Sequence, residues 1–223
     1  MSRNTHPQKG TMTRHINTHT QIKVSGHRPN TVPRLLKPTT AISLGLFAAW
    51  AVHDAEELVT MAPTSRRVFC QLPDFLPIPQ SLRERGLSQK HVNVSLGLMA
   101  VPVALSAVAG VKTNGKSPWF RGGLLAFGVH GFTHLLSSVA TRSYTTGVAT
   151  APVVVLPYWF IAQRVLQQNG VEGSTRGVIA TALAAIPLTV GVHLISAALL
   201  QEGSLGPARA LEDRFAPRRP NQC

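Results

Sequence analysis

The stretch WAVHDAEELVTM, residues 50–61, places a histidine and three acids (His53, Asp54, Glu56 and Glu57) near the end of an apolar run that begins at Thr40. An acid at the centre of a membrane-crossing helix costs roughly 2.5–3.5 kcal/mol on an insertion scale, so three in one turn threaten the whole span. Two readings compete. In one, 40–61 is a shorter buried helix whose last turns leave the apolar layer. In the other, the polar residues stay inside the layer and serve a site. Helical spacing favours the second. His53, Glu56 and Glu57 stand at i, i+3 and i+4 and project from one face, while Asp54 points elsewhere.

The rest of the chain makes a membrane reading the natural one. Of 223 residues, 44% are hydrophobic and only 14% charged, against roughly 25% in an ordinary soluble domain. The apolar residues gather into five segments: 40–61, 91–111, 120–140, 147–168 and 177–200. Each is close to the roughly 20 residues with which a helix covers about 30 Å of hydrocarbon. Pro102, Pro152, Pro157 and Pro187 fall inside segments, which membrane helices tolerate when neighbours satisfy the freed carbonyls. Small residues in GLFAAWA, ALSAVAG and ATALAAIP favour close helix approach in lipid. The expected fold is therefore all-α: a polytopic membrane protein with a bundle of about five transmembrane helices. Short connections at 112–119, 141–146 and 169–176 make consecutive helices antiparallel neighbours. Residues 62–90 read as a long loop, because LPDFLPIP is too proline-rich for a regular helix.

The ends differ from this middle. Residues 1–39 carry seven Lys/Arg, four His and no acid, without an apolar core, and read as a disordered basic arm. No apolar h-region precedes a small-residue cleavage site, so the arm is not a secretory signal. Residues 201–223 read as a tail. The net charge of +13 sits mainly in tails and loops, where it matches anionic lipid headgroups. No aromatic-interleaved basic patch supports nucleic-acid binding. Cys70 and Cys223 form no metal-ligand spacing. Basic residues flanking the segments lean slightly toward a cytoplasmic N-terminus, and the plasma membrane is the expected location.

Polar residues recur at one depth. His130 and His134, in GVHGFTHLL, are i, i+4 neighbours, and Gly128 and Gly131 beside them invite another helix to approach. His53–Glu57 lies 13–17 residues into its segment, His130 and His134 lie 10 and 14, and His193 lies 16. Segments one, three and five run in the same direction, so at about 1.5 Å per residue these groups fall within one or two turns of one level. Three helices thus deliver polar side chains to a single layer.

These residues resemble the HXXEE family of predicted membrane proteins, named for the motif present here as His53-Asp54-Ala55-Glu56-Glu57. The resemblance continues through FGVHGFTHLL and RSYTTGVATAPVVVLPYW and covers about residues 40–200. It implies characteristic positions at His130, His134 and Arg142, accompanied by Tyr144, Gly147 and Pro152. For the family's chemistry it implies only a conjectured metal-dependent membrane enzyme.

Carboxylates and imidazoles at i, i+3 or i+4 on facing helices are how bundles build metal sites. His53, Glu56, Glu57, His130, His134 and His193 are therefore candidate ligands of Zn, Fe or Mn. No thiolate lies near the layer, which argues against a cysteine zinc site or an iron–sulfur cluster. Glu56, Glu57 and Arg142 are the candidate catalytic residues, with the arginine placed to bind a phosphate or carboxylate of an amphipathic, lipid-like substrate. The equally plain reading of Arg142 is a loop cation on headgroups. Two other functions fit the same inventory. The paired glutamates and distant histidines resemble intramembrane glutamate proteases of the prenyl-protein-processing type, which need no metal. That family's arginine four residues after the second glutamate is missing here, since position 61 is Met61. A small transporter or ion-binding protein would also use buried Glu and His. His91 reads as a solvated residue at a helix start.

Overall fold

A computed structural model describes residues 36–73, 75 and 79–200. The basic arm over 1–35 and the tail over 201–223 lie outside the described residues. Among the described residues the only regular secondary structure is helix, with no strand. The helices are α1 (Pro38–Gln71), α2 (Gln80–Arg85), α3 (Gln89–Lys112), α4 (Pro118–Thr141), α5 (Leu156–Gln168) and α6 (Thr175–Leu199). A wide π-type turn over Ala151–Val155 leads into α5.

Helix starts follow local chemistry. Ser88, Ser117 and Ser174 each accept a hydrogen bond from a backbone N–H of the first turn of α3, α4 and α6. The C-terminus of α4 closes with Arg142 in the left-handed region (φ 47°), where Ser143 N–H donates to Ser138 O at 3.2 Å.

Two boundaries differ from the sequence expectation. α1 does not stop near 61 but runs on to Gln71, so the first part of the expected 62–90 loop is helix. Pro63 lacks only one N–H, and hydroxyls next to it bond back to the helix. Thr60 Oγ1 donates to Glu56 O and Thr64 Oγ1 to Thr60 O, each at 2.7 Å, and Ser65 Oγ donates to Ala62 O at 2.8 Å. The helix end is then capped from a distance. The buried guanidinium of Arg83 donates to Phe69 O (3.1 Å), Leu72 O (2.8 Å) and Pro73 O (2.9 Å), carbonyls at and just beyond the helix terminus. The second difference lies in the fourth segment. The chain stays out of regular helix from 142 to 149, and α5 begins only after the π-type turn that contains Pro152. A proline near the start of that turn gives up an N–H that would be unpaired there anyway.

α1 packs chiefly along α3, and α4 along α6, with α5 against α1 and α4. An apolar core joins Ile42, Leu46 and Ala49 of α1, Phe120, Leu124 and Phe127 of α4, and Ala162 and Leu166 of α5. Tyr158 Oη donates to Ile42 O at 2.6 Å and locks α5 to α1. Gly128 lies against the Trp159 ring and Gly131 against Val155, as the small-residue pattern in α4 led one to expect.

Three helices, α3, α4 and α6, are long and apolar enough to cross a membrane. α1 is long enough, but its His53-Asp54-Ala55-Glu56-Glu57 turn lowers its hydropathy, and α5 has only 13 residues.

Candidate metal centre

Four side chains from two helices meet inside the bundle. α1 supplies His53 and Glu57, one turn apart, and α4 supplies His130 and His134, also one turn apart. One ligand atom from each lies within 4.8 Å of the other three. Glu57 Oε1 is 3.1 Å from His134 Nε2 and 3.8 Å from both His53 Nε2 and His130 Nε2. His130 Nε2 and His134 Nε2 are 2.8 Å apart. His53, Glu57 and His134 are buried, whereas the His130 side chain is 45% exposed and forms the open edge of the group. Phe127 meets the His53 ring edge-on and closes the apolar side.

The donors of this group could hold a metal ion. His53 Nε2 and Glu57 Oε1 are buried atoms with no hydrogen-bond partner. Glu57 Oε1 lies at ion-pair distance, 3.1 Å, from His134 Nε2. Buried polar atoms left unpaired in this way cost free energy. Metal–nitrogen and metal–oxygen bonds of about 2.0–2.2 Å in a tetrahedron put ligand atoms roughly 3.3 Å from one another. The separations of 2.8, 3.1 and 3.8 Å bracket that value, and all four ligand atoms lie within 4.8 Å of one another. Three imidazoles and one carboxylate are a donor set that suits Zn, Fe or Mn.

Glu56 points away from its neighbour. Adjacent helical residues are about 100° apart, so the face shared with His53 is wide enough for Glu56 and Glu57 to diverge. Glu57 enters the histidine group, and Glu56 reaches the 144–150 turn. There Glu56 Oε1 accepts from Ala149 N–H (3.1 Å) and from the Tyr144 hydroxyl. Glu56 Oε2 accepts from Thr150 N–H (2.7 Å) and from Thr150 Oγ1 (2.6 Å). Partial desolvation and the neighbouring Glu56 carboxylate raise the Tyr144 phenol above its ordinary pKa, which keeps it a donor. Thr150 Oγ1 also lies 2.7 Å from His53 Nδ1, so the turn touches the group directly. A second contact, Thr60 Oγ1 to Thr146 Oγ1 at 2.9 Å, runs beside it.

Gly147 explains how the turn comes so close. Its φ is +75°, and a Cβ there would stand 2.7 Å from the His134 ring. Only glycine fits both conditions.

The remaining expected residues are placed differently. His193 of α6 is not among the four. Its Nδ1 lies 3.0 Å from His91 Nε2 and 3.3 Å from Ser95 Oγ, and the two imidazole rings stack. His91 itself is buried, at 4% exposure, which overturns the expectation of a solvated helix-start residue. It is drawn inward because α3 and α6 pack together, and His193 gives its ring a polar partner. Ser95 continues this line by donating to Ser196 Oγ at 2.9 Å. Arg142 is exposed at the left-handed end of α4, two turns beyond His134. Asp54 is buried on another face of α1, consistent with its offset from His53 in the helix.

Sequence reasoning did not find Thr150. It lies 97 residues from His53, in a turn without periodicity, and only its place as the last residue of RSYTTGVAT joins it to the recognised stretch.

No curated protein and no solved structure matches the chain. Residues 44–162 match the family described as protein of unknown function with HXXEE motif. That span covers more than half of the chain and carries all four convergent residues together with Glu56, Arg142 and Thr150, and the chain belongs to the HXXEE family.

Proposed function

We propose that this chain is an integral membrane protein of five spanning helices, in which His53, Glu57, His130 and His134 hold a divalent transition metal. We further propose that the centre hydrolyses or oxidises an amphipathic, lipid-like substrate. The observation that carries the reading is the convergence of three imidazole nitrogens and a carboxylate oxygen within 4.8 Å, with two buried atoms among them lacking a partner.

The distribution of polarity supports the five spans. On α1, His53, Asp54 and Glu57 are buried while Leu44, Phe47, Val52, Leu58 and Val59 are exposed. Val153, Phe160 and Ile161 are likewise exposed in the 151–168 stretch. A helix in water would reverse this order, since contiguous apolar surface is covered there. In lipid the arrangement costs nothing on the outside and shelters the acids inside. The 34 residues of α1 measure about 51 Å, so its basic end at Arg66 and Arg67 extends beyond the hydrocarbon.

A metal bound at the group would supply Lewis-acid or redox chemistry there. The protein's own residues do the remainder. Glu57 is the anionic ligand, and its burial keeps water from competing for it. The exposed edge at His130 is where a substrate can approach from between the helices. Arg142 lies at the same end of α4 as His134 and can pair with an anionic headgroup while the chain of the lipid stays among apolar side chains. Elemental analysis of the purified protein against His134→Ala and Glu57→Gln tests the reading. One equivalent of metal in the wild type, lost in both variants, is the expected result. A metal-free wild type whose activity survives chelators would favour the glutamate hydrolase instead.

A further inference from the structure

We infer that Glu56 is a positioning residue that acts through Thr150 to hold His53 in the tautomer with its proton on Nδ1 and its lone pair on Nε2, facing Glu57, His130 and His134. The two glutamates of the motif then have different tasks, one entering the histidine group and the other orienting a histidine from outside it.

Glu56 receives four donors: the Tyr144 hydroxyl, Ala149 N–H, Thr150 N–H and Thr150 Oγ1. A carboxylate so surrounded can only accept. Thr150 has a single hydroxyl proton, and it is directed to Glu56 Oε2 at 2.6 Å. Toward His53 Nδ1, 2.7 Å away, Thr150 Oγ1 is left with lone pairs alone. The proton in that contact must therefore sit on Nδ1. A neutral imidazole carries one proton, so Nε2 bears a lone pair. Nε2 is also the buried atom that has no hydrogen-bond partner, and it lies 3.8 Å from Glu57 Oε1. The tautomer thus follows from the far end of the chain Glu56–Thr150–His53. Orientation of a ligand histidine by a carboxylate or hydroxyl at its other nitrogen is a general way to raise its affinity for a metal.

The backbone N–H bonds serve the same end. They fasten Glu56 to residues 149 and 150, just before the π-type turn, and so keep its carboxylate beside the Thr150 hydroxyl.

The test begins on metal-free full-length protein in detergent, labelled with nitrogen-15 in histidine. Signals lost in His53→Ala identify the ring. Wild type and Thr150→Ser should show His53 protonated at Nδ1. Glu56→Gln is nearly isosteric, but its amide can donate to Thr150 and let the hydroxyl proton turn toward His53. Glu56→Gln and Thr150→Val should therefore move part or all of the proton to Nε2. A wild-type His53 protonated at Nε2, or a tautomer unchanged in Glu56→Gln, overturns the inference. This measurement needs no metal and so stands or falls apart from the metal reading. A second arm, which rests on that reading, titrates zinc into the same four proteins. Affinity should fall about 10–100-fold in Glu56→Gln and Thr150→Val and return in Thr150→Ser. Equal affinity in all four would overturn the positioning role even if zinc binds.

Discussion

Replacing Gly147 by alanine should disturb the candidate metal centre without replacing any of its proposed ligands. The added Cβ would lie 2.7 Å from Cε1 and Nδ1 and 2.8 Å from Nε2 of His134, whereas ordinary contact begins at 3.4 Å. Either the ring or the 144–150 turn must retreat by about 0.7 Å, on the order of three times the roughly 0.2 Å tolerance of metal–ligand distances. The left-handed φ of +75° adds about 1–2 kcal/mol for a residue with a side chain. The expected result is at least a tenfold loss of zinc affinity by competition titration in detergent, with a thermal midpoint lowered by a few degrees. Gly170 provides the control. Its φ of +59° carries the same backbone penalty, but a Cβ there meets nothing within 4 Å. Gly170→Ala should lower the midpoint and leave metal affinity unchanged. Equal metal affinity in wild type and Gly147→Ala would refute the packing of this turn on His134.

Other perturbations bear on different parts of the structure. Glu57→Gln keeps the shape of the group but removes its charge, and it should abolish turnover while substrate binding persists; normal turnover in this variant would make the cluster structural or ion-conducting. Arg142→Ala should raise KM for an anionic lipid with little change in kcat, measured in mixed micelles, and an unchanged KM would reduce Arg142 to a helix-end residue. Arg83→Ala removes three charge-assisted bonds from the end of α1, worth about 2 kcal/mol together, and should speed proteolysis near 72–79 by roughly 30-fold. For topology, cysteines at Ser81 and Ser143 should react with an impermeant thiol reagent from one face, and cysteines at Asn114 and Asn169 from the other; Ser81 and Ser143 on opposite faces would end the five-span reading.

Much of the architecture can be read along the chain, because it depends on local quantities. Runs of apolar residues of nearly helical span mark α3, α4 and α6 in the sequence, and the structure adds the Ser88, Ser117 and Ser174 caps at their starts. The i, i+4 spacing of His53 with Glu57, and of His130 with His134, likewise states which side chains share a face before any packing is known. The meeting of these two pairs agrees with their similar depth, but the same depth argument included His193, which pairs with His91 instead. α1 was harder to delimit. Its continuation past Pro63 depends on hydroxyls at Thr60, Thr64 and Ser65 and on Arg83, which arrives from another helix.

What only the tertiary structure decided is the division of labour among the polar residues. Glu56 and Glu57 are chemically identical neighbours, and nothing in their spacing tells which one turns toward His134. The choice is made by the 144–150 turn, whose N–H groups and hydroxyls collect one carboxylate and leave the other to the imidazoles. His91 and His193 pair with each other for a similar reason, since α3 and α6 press them together away from water. Hydrophobic periodicity is a sum over many weak, local preferences and survives in sequence. A hydrogen bond between residues 97 positions apart, such as that of His53 to Thr150, depends on angstrom-scale placement that only the packed bundle supplies.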